Sequence, residues 1–281
     1  MRYCPAEHVF FCCGGCVSNV ASDLLRNLRQ CIETNSNLVQ TALSEAHRLC
    51  KLYPWPANAS DHANRSTCVS AQALLQRTCP SLLTWYRPLS VAGDCNCLYR
   101  SVSLSLYGTE QHHVMLRLLT AVEILSHRSM YDLSDSNCQC PFKDSNNIVV
   151  PPYKELCLEI TTDSAYQDTL AAFALSKAVD RRTQMYFPQL DGSLDSSPLT
   201  RIHNGSAPGN KVVLMWSSLG VIPSTGPVKI DHFVPLVKMS TANGNIIAVN
   251  DSDDADDRQD RKDVGHTPPE GLTQSSAIGM S

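Results

Sequence analysis

The amino-acid sequence predicts an α+β fold, in which a series of helices precedes a small β-sheet. Between residues 20 and 179, apolar residues recur at steps of three and four, which is the spacing of amphipathic helices. After residue 180 they form short β-like runs separated by Gly, Pro and Asn, a pattern typical of strands joined by turns. The chain has 281 residues and is 43% hydrophobic, which is enough for one large domain or two small ones.

The helical pattern begins with a long broken segment over residues 20–50. It is interrupted at Asn35-Ser36-Asn37, which predicts a helical hairpin or a kinked helix. A short helical segment is predicted at residues 69–76. Three further helices are predicted near residues 97–107, 112–128 and 165–179.

Four runs in the last third of the chain are predicted to be strands, near residues 183–188, 211–218, 232–239 and 245–250. These strands would form one small central sheet, and the helices after residue 97 would flank it. The helical segment at residues 20–50 would pack against this unit as an N-terminal extension.

The sequence divides into three predicted parts. Residues 1–80 form a helical extension with a cysteine-rich leader, residues 81–250 form the main domain, and residues 251–281 form an acidic tail. Eight acidic and three basic residues give the tail a net charge of −5, so the rest of a chain with net charge −4 carries +1. Because the tail lacks apolar periodicity and contains Pro, Gly and Ser, we expect it to be disordered.

Composition argues against several functional classes. A nearly neutral folded part gives no indication of direct nucleic-acid binding. No stretch has the roughly 20 consecutive apolar residues of a membrane helix, so we expect no membrane partner. The chain has thirteen cysteines, an odd number, and none lies after residue 157, unlike a secreted disulfide scaffold. We therefore expect an intracellular protein, cytoplasmic or nuclear, with mostly reduced thiols.

The N-terminal leader allows three interpretations. Cys13-Gly14-Gly15-Cys16 is a C-x-x-C pair, but the second pair, Cys138-Gln139-Cys140, has a different spacing and is distant, so we predict no metal site and no cofactor. The apolar run at residues 9–17 has the length of a signal-peptide core, although only Arg2 precedes it as a fixed positive charge and Glu7 is present. The simplest interpretation is a poorly ordered leader.

A turn followed by a helix contains the candidate nucleophile. The stretch Gly93-Asp94-Cys95-Asn96 leads into the helix predicted from residue 97, so Cys97 lies at the first helical turn. Unpaired N–H groups and the helix dipole favour negative charge there, which would lower the pKa of a thiol. The same N–H groups can bind a developing oxyanion. This placement predicts that Cys97 is a nucleophile.

A general base is predicted further along the chain. His232 opens the β-like run His232–Val237, whereas the other histidines lie in helical or loop contexts. A cysteine at a helix start, with a histidine at a strand start far downstream, is the arrangement that cysteine hydrolases use. The alternative is structural, since buried cysteines and histidines at strand ends are common.

The segment from Gly93 to Ser103, which reads G-D-C-N-C-L-Y-R-S-V-S, resembles the D-G-N-C-L-[FY]-R signature of the ovarian-tumour (OTU) domain cysteine proteases. Later landmarks resemble the same family over roughly residues 80–240, and their order and spacing are most similar to the vertnin-like OTU proteins of animals. These landmarks are Leu106-Tyr107-Gly108, Leu116-Arg117, residues 183–188, residues 212–216 and residues 232–236.

The resemblance implies a papain-like fold and a deubiquitinase activity. In that family a thiolate attacks the isopeptide carbonyl between ubiquitin and a lysine. Carried over, Cys97 would be the nucleophile, His232 the base, and Asp94 the acid of the motif, which shapes the oxyanion loop together with Cys95 and Asn96. The implied partners are ubiquitin or ubiquitinated proteins.

Two positions depart from the family pattern. Cys95 stands where the family has glycine, a residue often used where φ is positive or the backbone approaches closely. Val234 stands where many members have the Asp or Asn that orients the histidine, so the third triad member is unassigned, with Asp231 and Asn250 as candidates. Because the vertnin-like subgroup contains degenerate members with nuclear or DNA-linked roles, the alternative function is a non-catalytic module that binds protein or chromatin.

Overall fold

The computed structural model of the chain describes residues 14–53, 62, 64–143, 151–167, 169–188, 194–195, 201–202, 211–222 and 229–239. The predicted strand at residues 245–250, the acidic tail at 251–281 and most of the cysteine-rich leader lie outside these residues. Of the helices described, none has both the length and the apolar character that crossing a membrane requires.

The first two helices, Gly14–Glu33 and Val39–Leu52, are separated at Asn35-Ser36-Asn37, where the sequence predicts a break, and they pack against each other. Their apolar faces are buried, and both helices also pack on the later helix His113–Ser126. All described residues belong to one compact unit. The helices are α1 (Gly14–Glu33), α2 (Val39–Leu52), α3 (Val69–Thr78), α4 (Leu82–Trp85), α5 (Cys97–Tyr107), α6 (His113–Ser126), α7 (Arg128–Tyr131), α8 (Tyr153–Ile160) and α9 (Thr169–Val179).

The described strands are β1 (Tyr86–Pro88), β2 (Thr183–Pro188), β3 (Leu194–Asp195), β4 (Arg201–Ile202), β5 (Val212–Ser217) and β6 (His232–Lys238). They form one sheet in the order β1-β6-β5-β2-β3, and β4 also pairs with β2. Strand β2 runs parallel to β5, and the other pairs are antiparallel. Every residue of β5 is buried, as expected for a central strand covered on both faces.

Side chains of β5 and β6 alternate between two apolar clusters, one on each face of the sheet, as the period of a strand requires. Leu214, Trp216 and Phe233 belong to the large cluster that contains α5, α6 and α9. Met215, Val234 and Leu236 belong to a smaller cluster that contains the buried face of α3. The helix that carries Cys97 therefore packs on one face of the sheet, against β6 and β5.

The predicted α+β class is confirmed, and so are the helices at 97–107 and 69–76 and the strands at 183–188, 211–218 and 232–239, to within two residues at each end. Two predicted helices are shorter in the structure, because the segment predicted at 112–128 ends at Ser126 and the one predicted at 165–179 starts at Thr169. Strand β1 and helix α8 were not predicted. The domain boundaries at residues 80 and 250 stay predictions.

Candidate active site

The candidate nucleophile lies where the start of α5 meets the start of β6. Cys97 is the first residue of α5 and is only 3% exposed. The backbone N–H of Phe233 donates a hydrogen bond to Cys97 Sγ, with an N···S distance of 3.5 Å. Ser101, one turn further along α5, donates from its hydroxyl to the carbonyl oxygen of Phe233 at 3.1 Å. Two contacts therefore hold the backbone of β6 beside the sulfur, immediately after His232.

The pKa of the Cys97 thiol is raised, so the predicted lowering is wrong. Burial is the main cause, because it removes the thiolate from water. The N–H groups of Phe233, Leu98 and Cys97 itself act in the opposite direction, as predicted for a helix N-terminus, but their effect is smaller. The helix start is present as the sequence predicts, but the packing of β6 over it outweighs its influence.

His232 is the first residue of β6, is 3% exposed and has a pKa lowered by burial. Asp231, Glu110 and Asp94 raise this pKa, but to a smaller extent. With the thiol pKa raised above and the imidazole pKa lowered below their ordinary values, both groups are neutral at pH 7. No hydrogen bond between Cys97 Sγ and the His232 ring is present among the described residues; the contact that the structure shows is between Cys97 Sγ and the backbone N–H of Phe233, the residue after His232.

The acid that orients the histidine in the family has no direct counterpart in the described structure. Val234 projects into the smaller apolar cluster with Met215 and Leu236. Asp231 accepts hydrogen bonds from the N–H of Leu219 at 3.2 Å and from Lys229 Nζ at 2.9 Å, and its charge raises the pKa of His232, but its carboxylate is not hydrogen-bonded to His232 Nδ1. The other candidate, Asn250, lies outside the described residues. His232 Nδ1 is buried and has no hydrogen-bond partner in this part of the chain.

The loop before α5 is held by an ion pair within the motif. Asp94 pairs with Arg100 through two oxygens, at 2.9 Å to Nε and 2.5 Å to Nη2, and its Oδ1 also accepts the N–H of Asn96 at 3.2 Å. The guanidinium of Arg100 is the main reason why the pKa of Asp94 lies well below its ordinary value. Asp94 therefore shapes the loop, as the resemblance implies, and its charge is already neutralised by Arg100.

Cys95 is exposed and has a φ of 63°, in the left-handed region that favours glycine. The substitution of cysteine for the family's glycine thus keeps the loop conformation that glycine would adopt and adds strain to it.

We expect Cys95→Gly to raise the free energy of unfolding by about 0.5–1 kcal/mol, because relief of left-handed strain of about 1–2 kcal/mol exceeds the entropy cost of glycine. Chemical denaturation of both proteins would measure the difference. Cys79→Gly is the matched control, since Cys79 has a φ of −152° and should lose stability on the same change. Equal losses in both variants would contradict the strain argument.

The loop before α5 is anchored by Arg117, a residue to which the sequence alone gives no role. Arg117, on α6, is 1% exposed, and its guanidinium donates to Asn96 Oδ1 at 3.0 and 2.8 Å and to the carbonyl oxygens of Thr162 and Ala165 at 2.8 Å. It also lies 4.5 Å from the centre of the Tyr99 ring. A single arginine inside an apolar helical run is the signal in the sequence that could have identified it.

Asn96 is the other half of this anchor. It is 2% exposed, and its side-chain nitrogen donates to Asp163 Oδ1 at 3.1 Å and to Ser164 Oγ at 3.3 Å. The residue directly before Cys97 is therefore fixed to α6 and to the turn after α8. Within the described ranges, no group of three or more His, Cys, Asp and Glu is arranged to hold a metal ion.

A family model described as the OTU domain of vertnin matches residues 88–217. The matched segment contains Asp94, Cys95, Asn96 and Cys97 and ends at the last residue of β5, before His232. The resemblance seen in the sequence is therefore confirmed for this segment. No curated protein sequence matches the chain.

Solved OTU structures were found to be similar to this chain at low identity. The OTU domain of OTUD1 is 18% identical, with a TM-score of 0.40, and the match covers 59% of this chain and 99% of that domain. The OTU protease of Dera Ghazi Khan virus is 14% identical, with a TM-score of 0.37, over 57% of this chain and 85% of the viral one. The Hazara virus OTU bound to ubiquitin is 15% identical, with a TM-score of 0.36, over 57% and 86%.

Proposed function

Because the family model of the vertnin OTU domain matches residues 88–217, we propose that this protein hydrolyses isopeptide bonds of ubiquitin conjugates through Cys97 and His232. The observation that supports this most directly is the contact at the start of α5. The N–H of Phe233 donates to Cys97 Sγ at 3.5 Å, and this supports the proposal because His232 directly precedes Phe233 in β6.

The proposed reaction proceeds through a thioester. The imidazole of His232, neutral at pH 7, takes the proton of the Cys97 thiol while Sγ attacks the isopeptide carbonyl carbon. The tetrahedral intermediate collapses when its carbon–nitrogen bond breaks, and the leaving lysine amine takes that proton from His232. Water, with His232 again as the base, then hydrolyses the thioester and restores the thiol.

The loop before α5 would stabilise the oxyanion. The N–H of Asn96 is already bonded to Asp94 Oδ1, whereas the amides of Asp94 and Cys95 donate to no acceptor among the described residues. These free amides, with that of Cys97 at the helix start, would be the donors for the developing charge. Arg117 and the Asp94–Arg100 pair would keep the loop in place during the reaction.

A second function, a non-catalytic module that binds ubiquitin, another protein or chromatin, is favoured by a different set of observations. The acid position is occupied by Val234 in an apolar cluster, and His232 Nδ1 is buried without a partner. The raised pKa of Cys97 also keeps the thiol protonated at pH 7. In that case the site would retain the OTU shape without turnover.

A ubiquitin probe with an electrophilic C-terminus tests the proposed function on the full chain. We expect the wild-type protein to be labelled, Cys97→Ala to lose labelling completely, and Cys95→Ala to keep it. Cys95 is the matched control because it lies two residues away and is the more exposed thiol.

Absence of labelling in a wild-type protein with native circular dichroism would contradict the enzyme. Titration with unmodified ubiquitin would then decide whether a ubiquitin-binding module remains. Labelling that follows Cys95 instead of Cys97 would also overturn the assignment of the nucleophile.

A further inference from the structure

We infer that Ser217 is the positioning residue for the His232 imidazole, in the place of the acid that the chain lacks. The inference rests on the proposed function, because it assigns the residue that orients the proposed base. Ser217 Oγ would accept a hydrogen bond from His232 Nδ1–H, which leaves Nε2 unprotonated to act on the Cys97 thiol.

The register of the sheet places the two residues directly opposite each other. Ser217 is the last residue of β5 and His232 the first of β6, and they are Cα partners in the antiparallel ladder. Side chains at directly opposed positions project from the same face of a sheet, with Cβ atoms about 4.5–5.5 Å apart. The alternation along β6 supports this, since Val234 and Met215 share the smaller apolar cluster.

Both polar atoms are buried and lack a partner. Ser217 is 0% exposed and His232 is 3% exposed, and neither Ser217 Oγ nor His232 Nδ1 has a hydrogen-bond partner in the described part of the chain. A buried donor or acceptor left unpaired costs about 1–3 kcal/mol, so two such groups on opposed positions favour pairing with each other. The proposed hydrogen bond would form by rotation of one of these side chains to another of its staggered conformations.

The neighbouring polar groups are already engaged. The Asp231 carboxylate accepts from Leu219 and Lys229, and Ser218 Oγ accepts the N–H of Gly220 at 3.1 Å. Asp231, Glu110 and Asp94 are the charged groups that act on the pKa of His232. Of the hydroxyls and carboxylates next to His232 in this part of the structure, Ser217 Oγ is the one without another partner.

A hydroxyl in this place has a specific consequence for catalysis. It fixes the ring orientation and the tautomer, as an acid would, but it carries no charge to stabilise the imidazolium that forms during the reaction. The proposed enzyme would therefore have a correctly oriented but weaker base than a family member with an Asp.

Nitrogen-15 NMR of the histidine ring in the full-length protein tests this without requiring activity. We expect His232 in the wild type to be the Nδ1–H tautomer and Ser217→Ala to lose this preference. Ser217→Ala should also react with the ubiquitin probe about tenfold more slowly, because one hydrogen bond is lost. Ser217→Thr, which keeps the hydroxyl, should restore both. Ser218→Ala is the matched control and should change neither.

The outcomes separate this inference from the proposed function. An unchanged tautomer and an unchanged pH titration of His232 in Ser217→Ala would overturn the inference, whatever the labelling rate. A tautomer change in Ser217→Ala that Ser217→Thr reverses would support the positioning role even if no variant reacts with the probe, and the proposed hydrolase alone would then fail.

Discussion

Replacement of Arg117 by methionine should lower the free energy of unfolding by about 3–5 kcal/mol. The guanidinium is 1% exposed and donates to Asn96 Oδ1 and to the carbonyl oxygens of Thr162 and Ala165. A methionine fills much of the volume but leaves these buried acceptors unpaired, and each unpaired acceptor costs about 1–3 kcal/mol. Because no carboxylate forms an ion pair with Arg117 among the described residues, the loss comes from the acceptors and not from a stranded negative charge.

Urea denaturation followed by circular dichroism measures this loss. Arg26→Met is the matched control, because the Arg26 side chain is 74% exposed and its ion pair is with the exposed Asp23, so its replacement should change stability by less than about 0.5 kcal/mol. If both variants lost the same free energy of unfolding, the buried hydrogen bonds of Arg117 would contribute no more to stability than a surface arginine does.

The second large effect is expected for Phe233→Ala, with a loss of about 3–5 kcal/mol in the free energy of unfolding. Phe233 is 0% exposed and belongs to the large apolar cluster, where its ring lies 3.9 Å from the ring of Trp216. Removal of the ring leaves a cavity at residue 233, whose backbone N–H contacts Cys97 Sγ. The backbone contacts are chemically unchanged in this variant, so the measured loss reports packing.

Phe187→Ala provides the comparison for this experiment. Phe187 also contacts Trp216, at 5.9 Å between ring centres, but it is only partly buried. The same deletion there should cost less than half as much, because water can partly fill the space that the ring leaves. Thermal unfolding of both variants under the same conditions gives the ratio, and an equal loss would refute a packing role specific to the start of β6.

The elements that carry the site could be predicted because their patterns are local. Helix α5 begins at Cys97 because the turn-forming residues before it end in a helical run, and β5 and β6 are continuous apolar strands. Strand β1 could not be predicted in the same way, since its three residues are extended only through pairing with Leu236, Val237 and Lys238 of β6. Strands β3 and β4, of two residues each, are likewise products of pairing with β2.

The chemistry of the site was harder to predict than its location. The roles of Cys97 and His232 stay predictions, and the predicted direction of the Cys97 pKa shift is wrong, because burial depends on which strand covers the helix start. The role of Arg117 depends on a turn 42–48 residues away in the chain, which no local pattern reveals. The left-handed conformation of Cys95, in contrast, could be anticipated, because Cys95 stands at a position where the family motif has glycine.

The hydrogen bond between Cys97 Sγ and Phe233 also bears on the order in which the protein folds. It joins residues 136 positions apart in the chain, so its formation closes a very long loop, whereas α5 and α6 are neighbours in sequence and in space. Because the entropy of loop closure grows with loop length, local helix contacts should form early and this one late. During synthesis, Cys97 emerges from the ribosome long before His232, so the growing chain carries an unassembled candidate site until β6 adds to the sheet.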